Sequence, residues 1–166
     1  DGTVDLVIHG TQIDAAVPEI KALLDAEGIE YVEAEEVTEG NATIFITSDA
    51  AHCDACGVVG EDEALTEEQG YVLVASNSEN EKGQVTIIGA DGEGAYYGIL
   101  TLKHMFEQKT SDGRIAEIEV SDWPDVKLRG FVEGFYGFPW TYEGRLGLME
   151  DCGELKMNTY IYAPKD

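Results

Sequence analysis

Three residues near the end of the chain have the chemistry of a binding site: Gly134, Tyr136 and Lys165. The first two sit in Glu133-Gly-Phe-Tyr-Gly137, where an apolar strand breaks into glycines and aromatics, and Lys165 sits in Tyr162-Ala-Pro-Lys-Asp166. In α/β folds ligands bind outside the carboxyl ends of strands. If both segments end parallel strands, the three residues converge on one rim. A flat ring, a carbonyl beside glycine and an ammonium suit a polyhydroxylated ligand: the ring packs on the apolar face of a sugar, and the polar groups bond its hydroxyls. Aromatic residues at strand ends also simply close cores, so the pattern alone leaves both readings open. Glu133 lies inside the strand, where it reads as a buried carboxylate with a partner.

Other chemistry is sparse. Three cysteines, Cys53, Cys56 and Cys152, are too few for a disulfide scaffold. His52-Cys53-Asp54-Ala55-Cys56 has Cys-x-x-Cys spacing, but a structural zinc takes four ligands, usually from two such pairs, and the sequence has no second pair. A thioredoxin-like motif should follow a strand and open a helix, which Thr43–Thr47 partly allows. A loop disulfide or two free thiols is the reading retained. No Asp-x-Asp-x-Asp-Gly calcium loop occurs. No metal and no cofactor is expected.

The charge is lopsided, with 34 acidic against 10 basic side chains and a net charge of −24. Almost all of the excess lies in residues 1–126. Such a surface repels nucleic acid and anionic membrane, and otherwise reads as a solvated acidic face. No apolar run is long enough to span a bilayer. No signal peptide is visible, and Asp1 starts almost inside a strand, as a processed or trimmed start would.

The elements that must position the site follow from periodicity. Val4–His9, Ile29–Glu33, Thr43–Thr47, Tyr71–Ala75, Gln84–Ile88 and Ile115–Val120 read as strands. The link after Tyr71–Ala75 predicts a hairpin with Gln84–Ile88. Val17, Ile20, Leu23 and Leu24 mark a helix capped by Thr11 or Asp14, with Pro18 in its first turn and Gly28 ending it. Residues 48–70 read as loop with at most one short helix. Asp91 caps a second helix carrying Ala95, Ile99, Leu102 and Phe106, and Gly94 and Gly98 on it imply close approach to a sheet. This predicts an α+β domain over residues 1–124, a mixed sheet of about six strands with two main helices. Residues 125–166 then read as strand Lys127–Phe135, helix Tyr142–Lys156 with Leu146, Met149 and Leu155 inward, and strand Met157–Ala163. That is one right-handed βαβ unit, which cannot bury its own faces.

Arg129-Gly-Phe-Val-Glu-Gly-Phe-Tyr-Gly137, Pro139-Trp140 and Lys156-Met-Asn-Thr-Tyr-Ile-Tyr-Ala-Pro-Lys-Asp166 resemble the opening of the catalytic barrel of glycoside hydrolase family 84, the β-N-acetylglucosaminidases that include O-GlcNAcase and bacterial enzymes once called hyaluronidases. Tyr71–Ala75 and Ile87–Leu102 more weakly resemble the non-catalytic α+β domain that precedes the barrel in families 84 and 20. The resemblance implies an accessory domain followed by the start of a truncated (β/α)8 TIM barrel. It also implies a retaining, substrate-assisted mechanism through an oxazoline, without metal or cofactor. On that resemblance Gly134 contacts a sugar hydroxyl through its backbone, Lys165 donates to a sugar hydroxyl and Tyr136 lines the sugar pocket. Phe138 stands where the family often has a small polar residue. The family's catalytic aspartate pair, at the end of the fourth barrel strand, is not in these 166 residues, so no catalytic residue is assigned and the chain alone is expected to be inactive. The implied partner is an N-acetylglucosamine-containing glycan or glycoprotein, with no nucleic acid and no membrane insertion, and the implied location is secreted or at a bacterial cell surface. Self-association through the unfinished barrel is expected. A non-catalytic carbohydrate-binding or interaction module is the competing reading.

Overall fold

Branched and apolar residues at alternating positions in the first part of the chain build one sheet, and the apolar stripes of two helices cover one of its faces. The computed structural model describes residues 3–38, 41–49, 62–77, 82–110, 115–134 and 139–163. It divides into a unit of Asp1–Pro124 and a unit of Asp125–Asp166.

In the first unit the order is β1 (Val4–His9), α1 (Ala16–Glu27), β2 (Tyr31–Ala34), β3 (Ala42–Thr47), a 3-10 helix (Glu63–Thr66), β4 (Tyr71–Asn77), β5 (Gly83–Gly89), α2 (Gly92–Glu107) and β6 (Ile118–Asp122). The strands lie side by side as β2-β1-β3-β5-β4-β6. All run parallel except β4, which is antiparallel to both of its neighbours. The sheet is therefore mixed and six-stranded, and β4 and β5 are the expected antiparallel neighbours, from Tyr71 opposite Gly89 to Asn77 opposite Gly83.

Residues from the four central strands β1, β3, β4 and β5 enter the main core: Leu6, Ile44, Ile46, Tyr71, Leu73, Ala75, Val85 and Ile87 join Ile20, Leu23 and Leu24 of α1 and Ala95, Ile99, Leu102 and Phe106 of α2. Burial of that many aliphatic side chains, each worth about 1.5–3 kcal/mol, is the main force holding the layer together. Gly98 explains how α2 comes so close. A Cβ there would stand 2.4 Å from the Ile87 Cγ2 and 3.2 Å from the Tyr71 ring, so the helix rests on the sheet through a missing side chain. Tyr71 then places its hydroxyl within hydrogen-bond distance of Thr101 Oγ1 at 2.6 Å and donates to Asp122 Oδ2 at 3.0 Å, joining α2, β4 and β6.

Some details differ from expectation, among them the second strand, which runs Tyr31–Ala34 rather than Ile29–Glu33. The N-cap of α1 is Ala15, with no side-chain bond, rather than Thr11 or Asp14. The Ile13 carbonyl accepts from the amides of Ala16 and Val17, and Pro18 has none to satisfy, so a side-chain cap has little left to do. The last strand runs from Ile118 to Asp122 rather than from Ile115 to Val120, because its pairing with β4 sets Asp122 opposite Tyr71. Ile115 still packs on the core from outside the strand.

The second unit is β7 (Gly130–Gly134), α3 (Tyr142–Glu154) and β8 (Thr159–Ala163), with β7 and β8 parallel. Both strands are shorter at their start than expected. There the Arg129 carbonyl accepts the Asn158 and Thr159 amides, while Arg129 N–H donates to Asn158 Oδ1 and Asn158 Nδ2 donates to the Lys127 carbonyl, so side-chain bonds mix with backbone ones ahead of the regular ladder. The helix also stops sooner than expected, with Leu155 as its C-cap. The inward stripe of α3 differs as well. Leu146, Met149 and Leu155 are 41%, 37% and 67% exposed. Arg145, Leu148 and Cys152, at helical spacing, are among the half-buried residues instead. The helix takes its orientation from Arg145, which is tied to β7.

Candidate functional site

In β7 the side chains of Phe131 and Glu133 alternate with Val132, and the parallel register puts Phe131 beside Tyr160 and Glu133 beside Tyr162. These four side chains and Arg145 of α3 form one cluster. The Phe131 ring lies 4.8 Å from that of Tyr160 and 6.2 Å from that of Trp140, and the Arg145 guanidinium sits 5.4 Å above the Tyr162 ring.

Glu133 is at the centre. It is 1% exposed, and both carboxylate oxygens are engaged. Arg145 Nε donates to Oε2 at 2.7 Å and its Nη2 donates to Oε1 at 2.8 Å, the two-pronged geometry that a guanidinium and a carboxylate make best. The Tyr160 hydroxyl also donates to Oε2. The Arg145 guanidinium, against the opposing effect of burial and with help from Tyr160, holds the Glu133 carboxyl down at about 2. Glu133 in turn raises Arg145. Burial, then Glu133, raises the Tyr160 phenol. A carboxylate ionised this firmly cannot act as a general acid near neutral pH, so Glu133 is a structural anchor, as the sequence indicated. The sequence carries one signal for its partner: Arg145 is the only basic residue between Gly130 and Leu155.

Gly134 follows directly. It is the last residue of β7, is exposed, and lies opposite Ala163, the last residue of β8. The two strands thus end side by side. Tyr136 and Lys165 lie outside the described residues, as does the Cys53–Cys56 pair. Among the described residues no group of three or more His, Cys, Asp or Glu side chains is placed to hold a metal ion. No described helix is long and apolar enough to cross a membrane.

Comparison with known proteins bears on both units. The sequence family described as glycosyl hydrolase family 20, domain 2, matches residues 1–123. The chain belongs to this family. A second family, described as beta-N-acetylglucosaminidase, matches residues 129–166. Protein O-GlcNAcase of Rattus norvegicus is 54% identical over 39 residues, which are 24% of this chain and 4% of that protein. The solved structure of CpGH84D superposes with a TM-score of 0.82 at 29% identity over 99% of this chain and 28% of that one. The beta-N-acetylhexosaminidase of Bacteroides fragilis NCTC 9343 shares the fold, with a TM-score of 0.62 at 17% identity over 98% of this chain and 28% of that one. The family 20 domain 2 chain thus spans less than a third of each of these relatives. It is a mixed α/β chain that resembles glycoside hydrolases acting on N-acetylglucosamine.

Proposed function

We propose that this chain is the leading part of a family 84-like glycosidase that removes terminal β-linked N-acetylglucosamine from glycans or glycoproteins. Residues 1–124 would be its accessory α+β domain and residues 125–166 the first βαβ unit of its (β/α)8 barrel. One observation carries the reading. The stretch matched to beta-N-acetylglucosaminidase, residues 129–166, folds as a parallel β7–α3–β8 unit whose two strands end together at Gly134 and Ala163. Barrel enzymes keep their sites at that end of their strands.

At such a rim the Gly134 carbonyl accepts from a sugar hydroxyl, the Lys165 ammonium donates to one, and the Tyr136 ring packs on a sugar face. Cleavage proceeds with retention. The substrate's own 2-acetamido oxygen attacks the anomeric carbon and forms an oxazoline as the leaving oxygen is protonated, and water then opens it. That chemistry needs a carboxyl pair to orient the acetamide and shuttle the proton. The 166 residues contain no adjacent aspartates, and Glu133 is locked in an ion pair, so the chain alone is catalytically inert. The enzyme works outside the cell or on its surface.

The test is hydrolysis of an aryl β-N-acetylglucosaminide by the full-length gene product and by residues 1–166 alone. Turnover with retained anomeric configuration by the first and none by the second is expected. Inversion would remove the oxazoline mechanism, and a full-length protein that binds N-acetylglucosamine without cleaving it would replace the enzyme with a binding module. Turnover by residues 1–166 alone would overturn the assignment of catalysis to residues beyond them.

A further inference from the structure

The Gly134 contact raises a physical difficulty. Gly134 has no Cβ to restrict its backbone, and it is the last described residue of β7, opposite Ala163. A carbonyl there can hold a sugar hydroxyl in one place only if the residue before it is immobilised. That residue is Glu133. Its carboxylate takes two bonds from Arg145 of α3 and one from Tyr160 of β8, so one side chain pins β7 to both of the other elements of its unit. Arg145 in turn lies over the ring of Tyr162, the residue before Ala163. Both strands are therefore clamped one residue short of their ends.

We propose that Glu133, Arg145 and Tyr160 form a latch that positions the Gly134 carbonyl for the sugar, which makes them positioning residues for binding rather than catalytic ones. The inference rests on Gly134 being a sugar contact. The latch lies on the face of β7 that carries Glu133 and touches no reacting atom. It acts by removing the freedom of a strand end, so that less conformational freedom is lost when the sugar binds. A guanidinium is required because an ammonium cannot bond both oxygens of one carboxylate in the same fork.

The experiment uses the full-length enzyme with Glu133→Gln, Arg145→Lys and Tyr160→Phe, each assayed on an aryl β-N-acetylglucosaminide. The folded fraction is measured separately by thermal denaturation. Because the contact is made equally in the ground and transition states, Glu133→Gln and Arg145→Lys should raise KM by about tenfold with kcat changed by less than about threefold. Tyr160→Phe, which leaves both Arg145 bonds in place, should give a smaller rise in the same direction. The Arg145 Nε–H resonance should exchange slowly in the native protein and rapidly in Glu133→Gln. Variants that keep the native KM, or that lose activity only in proportion to their unfolded fraction, overturn the latch while leaving the glycosidase reading intact. A wild-type protein that neither cleaves nor binds N-acetylglucosamine overturns that reading, and the latch with it.

Discussion

Gly94, in the first turn of α2, lies so close to Gly70 that a Cβ on it would stand 2.0 Å from the Gly70 carbonyl oxygen. That oxygen cannot retreat, because it already accepts the Ala90 amide at 2.9 Å. Alanine ordinarily gains about 1 kcal/mol over glycine inside a helix. Here the clash reverses the sign, and Gly94→Ala should destabilise the first unit by about 1–3 kcal/mol, the usual cost of overpacking. Gly147 of α3 is the control: a Cβ there meets nothing within 4 Å, so Gly147→Ala should leave stability unchanged or raise it slightly. Urea unfolding of both variants checks the pair.

Asp91 holds the same corner from the other side. One of its carboxylate oxygens caps α2 by accepting the Gly94 amide at 2.7 Å, and the other accepts the Gln69 amide at 2.9 Å. Gln69 has a left-handed backbone, with φ of 65°, which that second bond helps to hold. Asp91→Ala should therefore cost more than an ordinary lost cap, about 2–3 kcal/mol against the usual 1 kcal/mol. Asp91→Ser, which can restore the cap but not both bonds, should recover part of the loss in the same unfolding experiment.

These two residues also show what could be read from the sequence. The Asp91 cap and the small-residue face at Gly94 and Gly98 were legible because each rests on local chemistry: a carboxylate before a helix, and glycines one turn apart where glycine is costly. The α1 cap was not legible, since a turn of backbone around the Ile13 carbonyl does that work and leaves no side-chain signature. The inward face of α3 was misjudged for a related reason. Leu146 and Met149 look like the buried stripe, yet Arg145 takes the inner position because the bond to Glu133 outweighs what two strands can offer an apolar side chain. In the site, the place of Gly134 at a strand end came from the break in the apolar pattern. The anchor beneath it did not, because an ion pair between a strand and a helix 12 residues later leaves no periodicity to find.

Val132 and Ile161 pair across β7 and β8 and are 56% and 49% exposed. Among the described residues each strand has a single neighbour, and an edge of that kind is a template that recruits further strands. The purified 166-residue chain should therefore self-associate in a concentration-dependent way. Replacing the pair by Val132→Glu and Ile161→Lys should shift it towards monomer without disturbing Asp1–Pro124. Size-exclusion chromatography with light scattering over a range of concentrations reads this directly, and a monomer throughout for the native chain would contradict it.

The ion pair of Glu133 with Arg145 predicts a particular response to acid. Glu133 titrates at about 2 in the folded chain, below the roughly 4.3 of an unperturbed glutamate. A carboxyl with a depressed folded value favours the folded state wherever the unfolded form is also ionised, and that advantage disappears once both are protonated. The contribution should be full above about pH 5, should shrink between about pH 4.3 and 2, and should be gone below that. Comparing native protein with Glu133→Gln by denaturant unfolding of the second unit across pH 7 to 2 gives the check. The stability gap should be flat from pH 7 to about 5 and close as the pH falls towards 2. A gap that stayed constant down to pH 2 would mean that Glu133 holds β7 by shape and neutral hydrogen bonding, not by charge.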